Sequence, residues 1–277
     1  MRNFCSWCND AILKIIIVIA LLMFVLFVIF VAGISNNFQT VVTNSEALST
    51  KKIEWGIKRG KNHEQPDLGA ENIRIINEFN GMAMGNAESK KIYLTFDLGY
   101  EAGYTEKILD VLKENKVPAT FFITGQYVKT SGDIIKRMID EGHIVGNHTK
   151  NHKSMPECSN EVIKEEVMSL HKDLYEQFNY EMKYTRPPKG EYSEASVAYT
   201  NTLGYTTVMW SFAYDDWEEE KQGREDYGKK KILDNLHSGE IMLLHATSKD
   251  NCNILDEMIK EIKKQGYEFK SLDEFER

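Results

Sequence analysis

The apolar residues divide the chain into three parts. From Ile15 to Ile34 twenty residues run without a charge. A helix of that length rises about 30 Å, the hydrocarbon thickness of a bilayer. Asn36 to about Thr50 is polar, rich in Asn, Ser and Thr, and without periodicity, so it reads as a linker. From Ile53 onward the mixture of apolar and polar positions becomes that of a folded domain. Beyond Lys91 short β-rich runs alternate with amphipathic stretches. Strands are expected at Ile92–Phe96, Ala119–Ile123, Ile144–Gly146, Tyr184–Arg186, Tyr205–Trp210, Ile241–His245 and Tyr267–Ser271. Leu255, Met258, Ile259 and Ile262 fall on one helical face, and Val167, Leu170, Leu174 and Phe178 form a similar stripe. Repeated strand–helix alternation predicts an α/β fold on a parallel sheet, either open or closed into a barrel.

Arg2 and Lys14 precede the apolar block. The positive-inside rule then places residues 1–14 in the cytoplasm, 15–34 across the membrane as a single-pass anchor, 35–52 as linker and 53–277 outside the cell membrane. The same block also reads as a cleaved signal peptide ending near Val31-Ala32-Gly33, although it exceeds the usual ~7–15-residue core. Either reading exports the domain. The 277 residues suffice for one large domain plus the anchor. A net charge of −8 argues against a nucleic-acid partner, which requires cations for its phosphates. The sequence identifies no protein partner. Cys5 and Cys8 form a C-x-x-C before the anchor, and two cysteines do not complete a zinc site. Cys158 and Cys252 would be exported and can pair if the fold brings them together.

Reactive side chains gather at the C-terminal ends of the expected strands. Asp97 follows the first, His148 the third and Arg186 ends the fourth. Asp216 lies beyond the fifth and His245 ends the sixth. Parallel α/β sheets and barrels carry their active sites at that edge. His148 and His152, four residues apart, share a face if they lie on a helical turn, and two neutral imidazoles there can bind a divalent ion such as Zn²⁺. Asp97, before a turn that Gly99 would ease, can take a proton from a metal-bound water. Arg186 is held extended by Pro187 and Pro188 and can orient a carboxylate. His245 can protonate a leaving amine, and Asp216 can orient that histidine. Each motif alone has a plainer account: surface histidines, a helix N-cap aspartate, a surface arginine beside a stiff turn, a core histidine, a solvated loop.

In this order the motifs resemble the polysaccharide deacetylases of the NodB homology type. Thr95–Gly99, His148–His152, Arg186–Pro188, Asp216-Trp217 and Leu243–His245 match T-F-D-D-G, H-[ST]-x-x-H, R-x-P, D-x-x-D-W and L-x-H. The resemblance covers roughly 91–272. It is similar in particular to the spore-cortex peptidoglycan deacetylases that prepare muramic δ-lactam, through Trp55-Gly56, Lys61-Asn62-His63, Arg186–Gly190 and Leu244-His245 followed by Ser248–Asn251. The resemblance implies a distorted (β/α) barrel and hydrolysis of an N-acetyl amide on peptidoglycan glycan strands. It assigns Asp97 as base, His148 and His152 as ligands of a divalent metal, most simply zinc, and Arg186 as the residue positioning Asp97. Asp216 would tune His245, the general acid. Tyr100, Glu101, Lys189 and Trp217 are the candidate substrate contacts. Tyr100, Trp210 and Trp217 can stack on sugar rings, though aromatics at strand ends more often belong to the core.

One departure stands out. The second aspartate of the first motif, a metal ligand in most of the family, is Leu98 here. A metal held by two histidines should bind more weakly and leave more positions to water or substrate. Two other functions stay open at this point: a general deacetylase of N-acetylglucosamine or chitin-like oligomers, and a glycan-binding module without catalysis.

Overall fold

The computed structural model of the chain describes residues 48–277. The expected anchor at 15–34, the cytoplasmic segment 1–14 and most of the linker lie outside them. Among the described residues no helix is long and apolar enough to cross a membrane. Ser49–Arg277 forms one compact unit. It begins four residues before Ile53, because Ser49 donates its N–H to Glu194 and accepts from Ala195, while Lys52 pairs with Glu191 at 2.7 Å.

In chain order the strands are β1 (Ile53–Glu54), β2 (Lys91–Leu98), β3 (Thr120–Ile123), β4 (Ile144–Asn147), β5 (Tyr184–Thr185), β6 (Glu191–Tyr192), β7 (Thr206–Thr207), β8 (Glu240–His245) and β9 (Glu268–Phe269). The main helices are α1 (Ala70–Glu78), α2 (Thr105–Asn115), α3 (Gly125–Thr130), α4 (Gly132–Asp140), α5 (Asn160–Phe178), α6 (Glu194–Thr202), α7 (Glu225–Asp234) and α8 (Lys249–Lys264). The seven expected strands form one parallel sheet in the order β7-β5-β4-β3-β2-β8, with β9 paired to the start of β2. β1 and β6 make a separate antiparallel pair.

Several strands are shorter than expected, β5 and β7 among them. β5 stops before Arg186 because Pro187 and Pro188 follow and have no N–H to extend the ladder. β7 stops at Thr207 because the backbone then turns toward Met82 and β8. Met209 donates to Met82, and Ser211 and Phe212 donate to Ile241. This continuation bridges β7 to β8 and bends the sheet into a distorted barrel.

Alternation along β2 separates two environments. Ile92, Leu94, Phe96 and Leu98 enter the apolar layer shared with α2 and α8. Tyr93 belongs to the inner cluster with Phe122, Val208, Ile241 and Leu272. Thr95 and Asp97 follow Tyr93 on that inner face, toward the rim. The helical stripes behave as expected: Leu255, Met258, Ile259 and Ile262 of α8 are buried, as are Val167, Leu170 and Leu174 of α5. Ser248 and Ser159 cap these two helices. Cys158 and Cys252 are both free thiols.

Gly146 of β4 is a place where packing demands glycine. A β-carbon there would lie 2.5 Å from the ring of Phe122, which itself lies under the Arg186 guanidinium at 4.2 Å. Gly146→Ala should therefore lower unfolding free energy by about 1–3 kcal/mol, read from the denaturant midpoint. An unchanged midpoint would show that the ring has room to yield.

Candidate active site

Asp97 lies in β2 one residue before its end and is 7% exposed. Arg186 leaves β5 with its side chain fully buried and donates from Nη1 to Asp97 Oδ1 at 2.8 Å. The same nitrogen donates to Thr95 Oγ1 at 2.9 Å. Nε and Nη2 donate to the Val208 and Met209 carbonyls at 3.1 and 3.2 Å. Burial alone would raise the carboxyl pKa of Asp97. The positive field of Arg186, joined by His148 and His245, outweighs burial and holds it below the usual range. Asp97 is thus kept as an anion in a nearly dry place.

His245 ends β8 in direct register with Asp97 on the neighbouring strand. Adjacent strands are about 4.8 Å apart, so both groups face one space. The Nδ1–H of His245 donates to Asp216 Oδ1 at 2.8 Å, and its backbone N–H donates to Oδ2 at 2.7 Å. Asn251 Nδ2 donates to the same Oδ2 at 2.5 Å, and its own oxygen accepts from the Tyr214 hydroxyl. Burial pulls the His245 pKa down, but the charge and hydrogen bond of Asp216, with Asp97, prevail and raise it. The ring therefore tends to hold two protons, one on Nδ1 directed at Asp216 and one on Nε2.

His148 and His152 meet, but not on a helix. Both lie in the loop after β4, where Thr149 and His152 adopt left-handed φ of 65° and 56°. The turn is tied by Thr149 N–H to Asn147 Oδ1 at 2.9 Å and by His152 N–H to Thr149 Oγ1 at 3.0 Å. Glu166 of α5, 1% exposed, accepts from the Asn151 N–H at 2.7 Å and from its amide at 2.8 Å, and pairs with Lys153 at 3.1 Å. Local loop closure and this carboxylate bring the rings together where helical spacing does not.

The two Nε2 atoms are 3.2 Å apart. Two nitrogens each about 2.0–2.1 Å from a tetrahedral zinc would be about 3.3–3.4 Å apart. His148 Nδ1 donates to the Arg186 carbonyl at 2.9 Å, so its Nε2 carries a lone pair. Burial keeps both imidazoles neutral, His152 down to about 4. The pair fits a divalent ion as two of its ligands. Among the described residues no cluster of three His, Cys, Asp or Glu has metal-binding geometry. Leu98 explains the shortfall: it is fully buried on the outer face of β2, in the apolar layer.

A cleft of about 710 Å³ connects Asp97, His148, His152 and His245 with Lys189, Tyr100, Trp217 and Trp210. Trp217 is 53% exposed, with its ring 5.7 Å from that of His245. Glu101 is a correction. Its carboxylate accepts from the N–H groups of Gly103, Tyr104 and Thr105 and from the Tyr127 hydroxyl, so it caps α2 and is used up away from the cleft. Gly99 is another: its φ is not left-handed, and its missing side chain leaves open space. Glu166 and Tyr214 were not foreseen, nor any role for Asn251. Glu166 had a signal, a charge at the i+3 position from Ile163 and four before Leu170, on the buried stripe of α5.

An anionic carboxylate and a histidine biased toward its cation face one cleft beside a pair of imidazoles, an arrangement suited to hydrolysis with proton transfer. Known proteins give that class a family. Residues 84–208 match the family model described as polysaccharide deacetylase. The chain is 43% identical to the peptidoglycan-N-acetylmuramic acid deacetylase PdaA of Bacillus subtilis, over 83% of this chain and 88% of that protein. A solved structure of Bacillus subtilis PdaA, described as a family 4 carbohydrate esterase, superposes with a TM-score of 0.80 over 82% of this chain and 98% of that one, at 43% identity. A peptidoglycan-N-acetylglucosamine deacetylase of Bacillus cereus is 34% identical over 68% of this chain and 89% of its own length. The chain belongs to the polysaccharide deacetylase family and is a carbohydrate de-N-acetylase.

The electrostatics set a pH dependence. The His245 pKa is raised, so the ring keeps its second proton to higher pH, and a reaction that draws on that proton slows as pH rises through the pKa. Asp216→Asn removes the charge that raises it. The alkaline limb of kcat/KM should move to lower pH in this variant, measured by acetate release across pH. An unmoved limb would show that another group sets it.

Proposed function

We propose that this enzyme removes the acetyl group from N-acetylmuramic acid in peptidoglycan glycan strands, on the route to muramic δ-lactam in spore cortex. One observation carries the chemistry: Asp97 and His245 sit in register on adjacent strands and are held in opposite protonation states by Arg186 and Asp216. The 43% identity to a muramic acid deacetylase, over 83% of this chain and 88% of that protein, supports the choice of sugar.

The reaction follows from those positions. Asp97 takes a proton from a water as its oxygen bonds to the acetyl carbon. His245 Nε2 then gives its proton to the amide nitrogen as the C–N bond breaks. Acetate and a free amine result, and each catalytic group has exchanged one proton. Arg186 keeps Asp97 aimed and anionic before attack. Asp216 keeps the His245 ring oriented and stabilises its cationic form. A divalent ion, if held by His148 and His152, would supply Lewis-acid polarisation of the acetyl carbonyl. With the peptide already gone, the new amine can close onto the lactyl carboxyl of the same sugar in a separate condensation that breaks the carboxyl C–O bond and releases one water. The apolar segment 15–34 would hold the domain at the outer face of the cell membrane, beside its polymer.

The test is acetate release by the purified full chain from glycan strands with and without stem peptides, with the product identified by mass. Deacetylated muramic acid in peptide-free strands is the expected product. Acetate released only from N-acetylglucosamine would replace this reading with the general deacetylase. Asp97→Asn and His245→Ala should each cut kcat by about 10²–10⁴-fold while the melting transition remains cooperative. Near-wild-type turnover in both would remove their assigned roles.

A further inference from the structure

We propose that Lys189 binds the free lactyl carboxylate of peptide-free N-acetylmuramic acid and so selects that sugar. The inference rests on the muramic reading above and names the group that would enforce it.

Lys189 stands on the cleft wall with His152 and Trp217, and its side chain is exposed. Its backbone is left-handed, with φ 59° and ψ 5°. A β-carbon is disfavoured there, and glycine would fit without that cost. Strain of this kind persists where the surrounding structure enforces it, and it clusters at functional sites. The surroundings here are firm. Pro187 and Pro188 fix the approach, Gly190 N–H donates to the Pro187 carbonyl at 3.2 Å, and Trp55 N–H donates to the Gly190 carbonyl at 2.9 Å. A β-carbon on Gly190 would meet Trp210 at 2.8 Å and Trp55 at 3.1 Å, so the turn is wedged between two indoles. The lysine stem therefore leaves from a fixed point.

The charge around it is also telling. Asp97 is paired with Arg186, and Asp216 with His245. Asp215 is paired with Arg224 at 3.1 Å and Lys221 at 3.7 Å. Arg59, another cation lining the cleft, donates to the Ala213 carbonyl at 2.8 Å and lies over the Phe212 ring. Among the described residues no carboxylate lies within ion-pair distance of Lys189. An ammonium on a fixed turn, facing a sugar-sized cleft whose acids are already matched, calls for an anion from the substrate. N-acetylglucosamine offers none. Peptide-bearing muramic acid offers an amide at that point. Peptide-free muramic acid offers a carboxylate beside the acetamido group to be cleaved.

The experiment compares the full-length wild type with Lys189→Met and Lys189→Gly on three substrates. These are peptide-free strands, the same strands with the lactyl carboxylate converted to its methylamide, and an N-acetylglucosamine oligomer. Wild type should lose about ten- to hundred-fold in kcat/KM on the methylamide, mainly through KM. Lys189→Met should lose as much on the free acid and then fail to distinguish acid from methylamide. Lys189→Gly should show the same loss with a melting temperature equal to or above wild type, since its backbone strain is relieved. A Lys189→Met enzyme that keeps the wild-type preference for the free acid overturns the assignment. So does a Lys189→Gly enzyme whose melting temperature falls along with its affinity. Wild-type turnover of the N-acetylglucosamine oligomer alone overturns the muramic reading itself, and this assignment with it.

Discussion

The rim of this barrel is organised around one buried ion pair, Arg186 with Asp97. The guanidinium is fully buried, and taking such a charge out of water costs several kcal/mol before any partner is found. Its hydrogen bonds to Asp97, Thr95, Val208 and Met209, with the Phe122 ring beneath it, make that burial tolerable. A pair of this kind adds little net stability, yet loss of one partner costs about 3–5 kcal/mol. The contacts join β2 to β5 and to the segment after β7. Barrel closure and orientation of the Asp97 carboxylate are therefore one structural fact.

From that pair the protonation states divide. Arg186 pulls Asp97 toward its anion, and Asp216 pulls His245 toward its cation, on neighbouring strands in register. The arrangement puts a proton acceptor and a proton donor on one wall of the cleft without moving the backbone. Asn251, itself held by the Tyr214 hydroxyl, extends it by donating to Asp216 Oδ2, and Glu166 does the corresponding task for the histidine loop. Asn251 and Glu166 come from helices that follow the strands, α8 and α5. The helical layer thus holds the polar rim in place as well as packing the core.

Leu98 shows what strand alternation permits. Its side chain joins Phe96 and Leu94 in the outer apolar layer, while Asp97 faces inward. A leucine there strengthens the layer and adds no donor to the cleft. His148 and His152 remain as a pair whose spacing suits a divalent ion, and the remaining positions around such an ion would fall to water or substrate.

Much of this was legible in the chain itself. Hydrophobic periodicity located all seven strands of the sheet and the stripes of α5 and α8, because burial on a strand or helix face leaves a regular trace. The order of polar residues at strand ends located Asp97, Arg186, His148 and His245, because parallel strands deliver their C-terminal ends to one edge. Other features have no local trace. Glu101 looks like a cleft carboxylate, and only the placement of three N–H groups and Tyr127 turns it into a helix cap. The two histidines share a site through a left-handed loop clamped from α5, not through helical spacing. The Lys189 backbone is held at the cleft only when Trp55, from a distant segment, locks the turn beside it. Sequence determined which residues are buried and which lie at the edge, since those depend on short-range pattern. Tertiary structure decided which charges are already partnered and which still face the cleft, since partners are chosen by proximity in space.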